Sequence, residues 1–148
     1  MLVLLCASPV SAQGGWTGEL FGPRARRDLR SPDAATRLSA ARRLGRRGEN
    51  RHAVAALLEA LSAEEDAGVR GALFDSLSRR GDEAAIDALA QRLTEWGRDD
   101  RAAALRAMGA IGGERAIRLL VEWLGAADVG DDAVDAIGTR RTVRAGRA

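Results

Sequence analysis

The stretch "DAGVRGALFDSLSRRGDEAAIDALAQRL", residues 66–93, indicates the fold because versions of it recur on both sides. Its first half matches earlier residues at an offset of 33 and later residues at an offset of 31, and its second half matches at 32 and 31. Self-similarity of fixed period is the signature of a repeat architecture. The matched residues are Asp33, Arg37, Leu44 and Gly48 upstream, Arg101, Met108 and Gly112 downstream, and, in the second halves, Val54 with Ile86 and Ile117, Leu57 with Leu89 and Leu120, and Leu61 with Leu93 and Leu124.

Each unit contains two stripes of apolar residues at helical spacing. In the first unit, Leu38, Ala41 and Leu44 form one stripe, and the other runs from Val54 to Leu61. This spacing predicts two amphipathic helices per unit. A single helix pair cannot bury both stripes, so neighbouring units must stack. The expected fold is all-α, an α-solenoid of three helical-hairpin repeats plus a partial fourth.

The ends of the helices are also marked. Asp33 and Asp66 suit N-caps, because an aspartate accepts hydrogen bonds from the free amides of a first helical turn. Gly48, Gly81 and Gly112 fall where a left-handed residue would end the first helix of each unit. We therefore expect the same capping scheme in successive units.

The order of residue types within a unit is distinctive. "DAGVRGALFDSL" followed by "RRGDEAAIDAL" gives a succession of Asp, Val-Arg, a small apolar residue, Leu and Gly-Asp. This succession resembles the short HEAT-like repeat of bacterial proteins, the type also found in phycobilisome lyases. The resemblance covers three units from residue 31 to about 125, with a partial fourth at 131–138, and implies an ARM/HEAT-like superhelix. Gly97 replaces the capping aspartate in the third unit, so its first helix is expected to begin two or three residues later.

The chain divides into four predicted segments. The first is a signal peptide, because an apolar run is followed by small residues, and we expect cleavage before Gln13. The mature chain is then expected to be exported to the periplasm or secreted. The alternative is that this segment is a buried N-terminal segment of the folded protein. This run is too short to span a bilayer, and no span is expected in the mature chain. The segments are 1–12 (signal peptide), 13–30 (linker or cap), 31–138 (HEAT-like repeat domain) and 139–148 (basic tail, expected to be disordered).

The fourth unit has an incomplete pattern. Ala133, Val134 and Ile137 form an apolar stripe, but no second apolar helix follows it. Solenoids normally finish in a polar cap. A truncated reading frame, coverage by another chain and a disordered tail all remain open as explanations.

Charge is unevenly distributed along the chain. The net charge of +2 is the sum of +6 over residues 13–51, −8 over 52–137 and +4 over 138–148. The arginines of "ARRLGRRGEN", residues 41–50, recur before Gly81, so they are interpreted as cations that offset the helix dipole in a last turn. The alternative is a phosphate-binding patch, which the absence of interleaved aromatic residues disfavours. That patch would consist of Arg42, Arg43, Arg46 and Arg47.

Residues for catalysis or metal binding are scarce. His52 is the only histidine and is followed by Ala53, so the His-Glu pairs with which HEAT-like hydroxylases hold two irons are absent; we expect a surface or capping residue. Cys6, the only cysteine, lies in the predicted signal peptide. Lysine is absent, which excludes a phosphate loop ending in lysine. We expect no enzyme activity, no cofactor and no metal, and we do not transfer lyase activity from the resemblance.

The second helices are the expected partner-binding surface. Stacked repeats place equivalent residues side by side, which gives three columns if these helices line the concave face. The columns are mildly acidic and suit a basic or mixed-polarity peptide. Trp96 and Trp123, near the ends of two second helices, are expected to fill the core, with an interface role as the alternative. The candidate partner-binding residues are Arg51, Glu83 and Glu114 in one column, Asp87 and Arg118 beside Ala55 in the next, and Glu59, Gln91 and Glu122 in the third.

The expected function is a non-catalytic scaffold for protein–protein interaction. One alternative is a cytoplasmic nucleic-acid-binding protein that uses the arginine-rich first repeat, although the acidic middle of the chain disfavours nucleic acid. Another is an accessory subunit of an enzyme such as a lyase. The sequence leaves the partner's identity and the oligomeric state open.

Overall fold

The computed structural model describes residues 21–46 and 51–145, with side chains over 24–46 and 52–138. Over these residues the chain is helical and contains no β-strand, which confirms the all-α prediction. In the described part of the chain, the helices are α1 Phe21–Asp28, α2 Ala34–Arg46, α3 Arg51–Ala63, α4 Ala67–Arg80, α5 Glu83–Ala90, α6 Arg98–Ile111, α7 Glu114–Glu122 and α8 Gly130–Ala145.

The helices form a stepwise stack of hairpins. Helices α2 and α3, α4 and α5, and α6 and α7 are the three predicted pairs, and α8 is the first helix of a fourth unit. The first helices α2, α4, α6 and α8 pack in succession along one layer, and the second helices α3, α5 and α7 form the other. The predicted α-solenoid is therefore confirmed.

The core lies between the two layers. Its fully buried side chains come from the predicted stripes, so that Leu57 of α3 and Leu77 of α4 have no exposed surface. The other large, fully buried apolar side chains are Val69, Leu73, Ile86, Leu89, Leu93, Leu105, Met108, Leu120 and Val129.

Small residues let the first helices approach one another closely. Gly45 of α2 faces Ser76 of α4, and a Cβ atom built on Gly45 would lie 2.6 Å from the Ser76 Oγ. The buried Ser76 hydroxyl donates a hydrogen bond to the Ala41 carbonyl across the same contact, at 2.9 Å. Gly109 of α6 is equally close to α8, where a Cβ would lie 2.5 Å from the Ala136 carbonyl oxygen.

The predicted N-caps are present. The Asp33 carboxylate accepts a hydrogen bond from the Thr36 amide at 2.9 Å, and Asp66 accepts one from the Val69 amide at the same distance. Thr36 also donates its hydroxyl to Asp33, and these bonds lower the pKa of the Asp33 carboxyl. Capping satisfies amides that have no partner within the helix.

The predicted left-handed glycines are only partly correct. Gly112, which ends α6, has a φ of 78° and confirms the prediction. Gly81, which ends α4, has a φ of −61°, so the prediction of a left-handed residue is wrong there. A Cβ on Gly81 would collide with the Ile111 side chain of the next unit and would lie 2.8 Å from the Leu77 carbonyl oxygen, so close packing explains this glycine. Gly48 lies outside the described residues.

The prediction of a delayed start for the third unit is also wrong. Helix α6 begins at Arg98, directly after Gly97, which occupies the N-cap position without a side-chain hydrogen bond. The Gly97 carbonyl accepts the Arg101 amide at 2.9 Å, as in a regular first turn. Asp99 and Asp100 lie in that turn, where negative charge is favourable.

Helices α1 and α8 lie at the two ends of the described chain, and their positions can be compared with the predicted segment boundaries. Helix α1 lies within the predicted linker or cap and packs on α2 and α3, and its Ala25 and the following Leu29 are buried. Helix α8 runs past residue 138, the predicted end of the repeat domain, to Ala145. Residues 1–12 lie outside the described residues. None of the described helices combines the length and hydropathy needed to cross a membrane.

Candidate partner-binding surface

The predicted partner-binding residues lie on the second helices or directly at their ends. Each of these helices buries one face, for example through Leu57 of α3, Leu89 of α5 and Leu120 of α7, so that polar residues occupy the opposite face. Asp87 is half-buried, and Arg51 begins α3 with a side chain outside the described residues. The exposed members of the set are Glu59, Glu83, Gln91, Glu114, Arg118 and Glu122.

Two ion pairs organise the charges of α5 and α7. The Arg115 Nε donates to the Asp87 carboxylate at 2.6 Å, which joins the second helices of neighbouring units. Arg118 donates to Glu114 at 2.7 Å within α7. The predicted column placed Arg118 beside Asp87, but the arginine that pairs with Asp87 is Arg115, which was not among the predicted residues. Glu83 makes no ion pair with any residue that the structure describes.

A cleft of about 390 Å³ lies beside the first hairpin, and Glu59 is the predicted site residue that borders it. Arg30 donates to Glu59 at 2.5 Å in an exposed pair. Arg37 and Glu64 line the same cleft. The complete lining is Arg26, Leu29, Arg30, Arg37, Ala56, Glu59, Ala60, Ala63, Glu64 and Glu65.

The Arg37–Glu64 pair is the least exposed ion pair of the described chain. Arg37 Nε and Nη2 donate to the two Glu64 carboxylate oxygens at 2.8 Å and 2.9 Å, and Nη1 donates to the Ser31 and Pro32 carbonyls. The Arg37 side chain is 19% exposed and that of Glu64 is 4% exposed. The hydrogen bonds from Arg37 lower the pKa of the Glu64 carboxyl, because they stabilise its charged form. Arg37 therefore ties α2 to the segment that leads into the next unit.

Equivalent arginines repeat this arrangement. Arg70 of α4 donates to Asp100 at 3.0 Å and to the Glu65 carbonyl at 2.6 Å. Arg101 of α6 donates to Asp128 at 2.5 Å and to the Leu93 and Trp96 carbonyls at 2.8 Å and 2.9 Å. The equivalence of these arginines could be predicted from the sequence, because the constant offsets already aligned Arg70 and Arg101 with Arg37. They hold neighbouring units together, so the partner-binding surface rests on a fixed frame.

Comparison with known protein families supports this architecture. Residues 25–105, which are 81 of the 148 residues, match the family described as HEAT repeats. The chain belongs to the HEAT repeat family. Residues 100–126 match the PBS lyase HEAT-like repeat, in agreement with the predicted resemblance. No curated protein matches the chain significantly.

The tryptophans pack within the HEAT array. Trp96 and Trp123 are half-buried and contact the core. Trp96 meets Phe74 edge to face, with ring centroids 5.3 Å apart and an angle of 89° between the planes. The Arg101 guanidinium lies 5.4 Å from the ring centroid of Trp123. These contacts agree with the expected core role.

The arginine run of the first HEAT unit is partly used within the molecule. Arg43 donates to Asp28 of α1 at 2.5 Å, and Arg46 Nε donates to the Arg42 carbonyl at 3.3 Å. Arg46, like Arg79 and Arg80 of α4, lies in the last turn of a first helix, as predicted. Arg47 lies outside the described residues.

Groups that could bind a metal are dispersed. His52 is exposed near the start of α3, as expected of a surface residue. Within the described ranges, no three His, Cys, Asp or Glu side chains come close enough together to hold one metal ion.

Proposed function

We propose that this HEAT protein is a non-catalytic scaffold that binds another protein through the outward face of α3, α5 and α7. The observation that carries the proposal is the recurrence of exposed polar side chains at equivalent positions of successive second helices, among them Glu83 of α5 and Glu114 of α7. Stacked repeats form extended binding surfaces of this kind, and HEAT arrays generally use them for protein partners.

The charge of this face favours a basic or mixed-polarity partner. Glu83 and Glu122 are exposed and make no ion pair with described residues, whereas Arg118 is already compensated by Glu114. Complementary charge raises the association rate and discriminates between partners. A partner segment with arginine or lysine side chains would therefore be selected over an acidic one.

Affinity capture tests this proposal. The variant E83R/E122R reverses two exposed acids on the proposed face, and the control E65R/E95R reverses two exposed acids outside the second helices. Captured proteins are cross-linked and quantified by mass spectrometry. We expect a specific partner to be retained by the wild type and by the control, and to be reduced about tenfold by E83R/E122R, which corresponds to about 1.4 kcal/mol. Equal capture by all three proteins would refute the proposed face.

The PBS lyase HEAT-like match favours a second candidate, an accessory subunit of an enzyme such as a lyase. In that case the captured partner is an enzyme whose activity depends on this chain, and E83R/E122R lowers that activity. The nucleic-acid alternative predicts instead that binding is lost on nuclease treatment.

We also propose that the protein is exported, on the pattern of residues 1–12. A mature protein that begins at Gln13 in a secreted or periplasmic fraction would support this proposal.

A further inference from the structure

Helices α7 and α8 share an apolar face that no described residue covers. Ile117, Val121 and Leu124 on or next to α7 are 38%, 52% and 41% exposed, and Val134 of α8 is 55% exposed. These four are the exposed large hydrophobic side chains of the described residues. Single exposed aliphatic residues need no explanation, but a group on two adjacent helices marks an interaction site.

The repeat indicates what this face is built to contact. Ile86 and Leu93 occupy the corresponding positions of the preceding unit, and their exposures are 0% and 1%. Helix α7 packs against α5, which is the second helix of that preceding unit. The positions that a following second helix covers in one unit are therefore uncovered in the next, where they are occupied by Ile117 and Leu124.

Helix geometry places the four side chains on the side away from the preceding unit. Arg115 points towards α5, since it pairs with Asp87. Ile117 follows two residues later, about 200° further round the helix at 100° per residue. On α8, Ala136 contacts Gly109 of α6, and Val134 lies about 200° from Ala136 by the same geometry. Because α7 and α8 pack together, their exposed residues form one surface where the second helix of a further unit would lie.

The charges beside this surface define the chemistry of its occupant. Asp131 and Asp135 flank Val134 on the exposed side of α8 and make no ion pair with the described residues. On α7, Arg118 is compensated by Glu114. We propose that Ile117, Val121, Leu124 and Val134 bind a basic amphipathic helix of a partner protein. This inference rests on the proposed function and deepens it, because it gives the class of partner segment and a second contact surface.

A second copy of the chain fits this surface less well. A symmetric pair would bring Asp131 and Asp135 of both copies together, and like charges at an interface are unfavourable. Four partly exposed aliphatic side chains also offer far less than the roughly 800 Å² per partner of a standard stable interface. A single helix with basic residues along one edge avoids the repulsion, and a surface of this size suits a short segment better than a whole folded copy.

Two synthetic peptides test the proposal. Both derive from residues 113–126, which contain α7, because α7 is the helix that covers the corresponding face of α5. The basic peptide carries E114R and E122R, and the acidic peptide carries R115E and R118E. Both are capped at their ends and held helical by a hydrocarbon staple, and binding to the full chain is followed by fluorescence anisotropy. We expect the basic peptide to bind at least about tenfold more tightly than the acidic one.

Protein variants locate the contact. V121D and V134D each place a charge on one of the two helices that form the face, and S39D places the same charge on an exposed position of α2, outside both proposed surfaces. Thermal unfolding followed by circular dichroism identifies the variants that remain folded. We expect V121D and V134D to weaken binding of the basic peptide by at least about tenfold, because an aspartate replaces an aliphatic contact that the peptide would bury, and S39D to leave it unchanged.

Four results would overturn the proposal: no binding of the basic peptide to the folded protein, equal affinity for both peptides, unchanged binding by V121D and V134D, or a dimer that V121D dissociates. The last result would assign the face to a second copy. The comparison of E83R/E122R with its control uses other side chains, so it can succeed when the peptide experiment fails. Conversely, if the basic peptide binds but E83R/E122R captures as much partner as its control does, only the proposal for the outward face of the second helices is refuted.

Discussion

Replacing Arg37 by alanine tests whether its partly buried ion pair with Glu64 holds the first two units together. The substitution leaves the Glu64 carboxylate, which is 4% exposed, with one remaining side-chain hydrogen bond, from the Asp66 amide. Removing one partner of a buried pair typically costs about 3–5 kcal/mol. Because Arg37 is 19% exposed and the pair is only partly buried, we expect a smaller loss of about 1–3 kcal/mol in the free energy of unfolding.

Urea unfolding followed by circular dichroism measures this loss, and the chain provides a matched control. Arg79 and Asp75 form an ion pair at 2.6 Å with side chains 52% and 51% exposed, so Arg79→Ala removes the same type of contact from the surface. Exposed helical pairs contribute about 0.3–0.5 kcal/mol. If Arg37→Ala costs less than about 1 kcal/mol, or no more than Arg79→Ala, the reasoning from burial is wrong.

The same pair predicts a dependence on pH. The Glu64 pKa is lower in the folded chain than its ordinary value of 4.5, so the folded state binds this proton less readily than the unfolded state. The stabilisation is fully present above the ordinary pKa and is lost as pH falls through the folded pKa. Arg37→Ala should therefore show a shallower loss of stability below pH 4.5 than the wild type does. Parallel pH profiles would contradict this assignment.

Three glycine substitutions give further predictions. Gly45→Ala should destabilise the chain by about 1–2 kcal/mol, because the new Cβ would meet Ser76, whereas Gly71→Ala, with nothing within 4 Å, should stabilise it by about 0.5–1 kcal/mol in the same urea assay. Effects of the same sign would contradict the close contact between α2 and α4. Gly97→Asp gives α6 the cap that Asp66 gives α4 and should stabilise by a few tenths of a kcal/mol. A lower Tm in that variant would refute the inferred capping geometry.

The periodicity of the sequence was sufficient to predict the fold, and local residue types were sufficient to predict the aspartate N-caps. Each apolar stripe could be recognised on its own, and the constant offsets identified which stripes were equivalent. Asp66 was predictable as an N-cap because capping depends on residues within one turn. Gly81 was not, because its role depends on Ile111 of the next unit rather than on its own backbone conformation.

The ion pairs between units were harder to predict from equivalence. The predicted columns of the second helices rest on the assumption that residues in contact are separated by the repeat offset, which is 31 between α5 and α7. Asp87 and Arg115 are 28 positions apart, so their contact is displaced from the column by nearly one helical turn. Arg37 and Glu64, which are 27 positions apart, also lie outside any column, because Glu64 belongs to the segment between α3 and α4 and not to a helix. Register between stacked helices therefore has to be known before side chains can be paired.

Equivalent residues in a repeat need not share an environment, and the α7 face depends on this difference. Ile86 and Ile117 have the same side chain, the same place in the unit and the same helical context, yet their exposures are 0% and 38%. Helix α7 packs beside α5, whereas no described helix occupies the corresponding place beside α7. In a solenoid each unit is stabilised by intrinsic and nearest-neighbour contributions. Side chains that are buried between units at α5 are therefore exposed at α7 with no change in their identity, and the proposed partner helix would use this exposure.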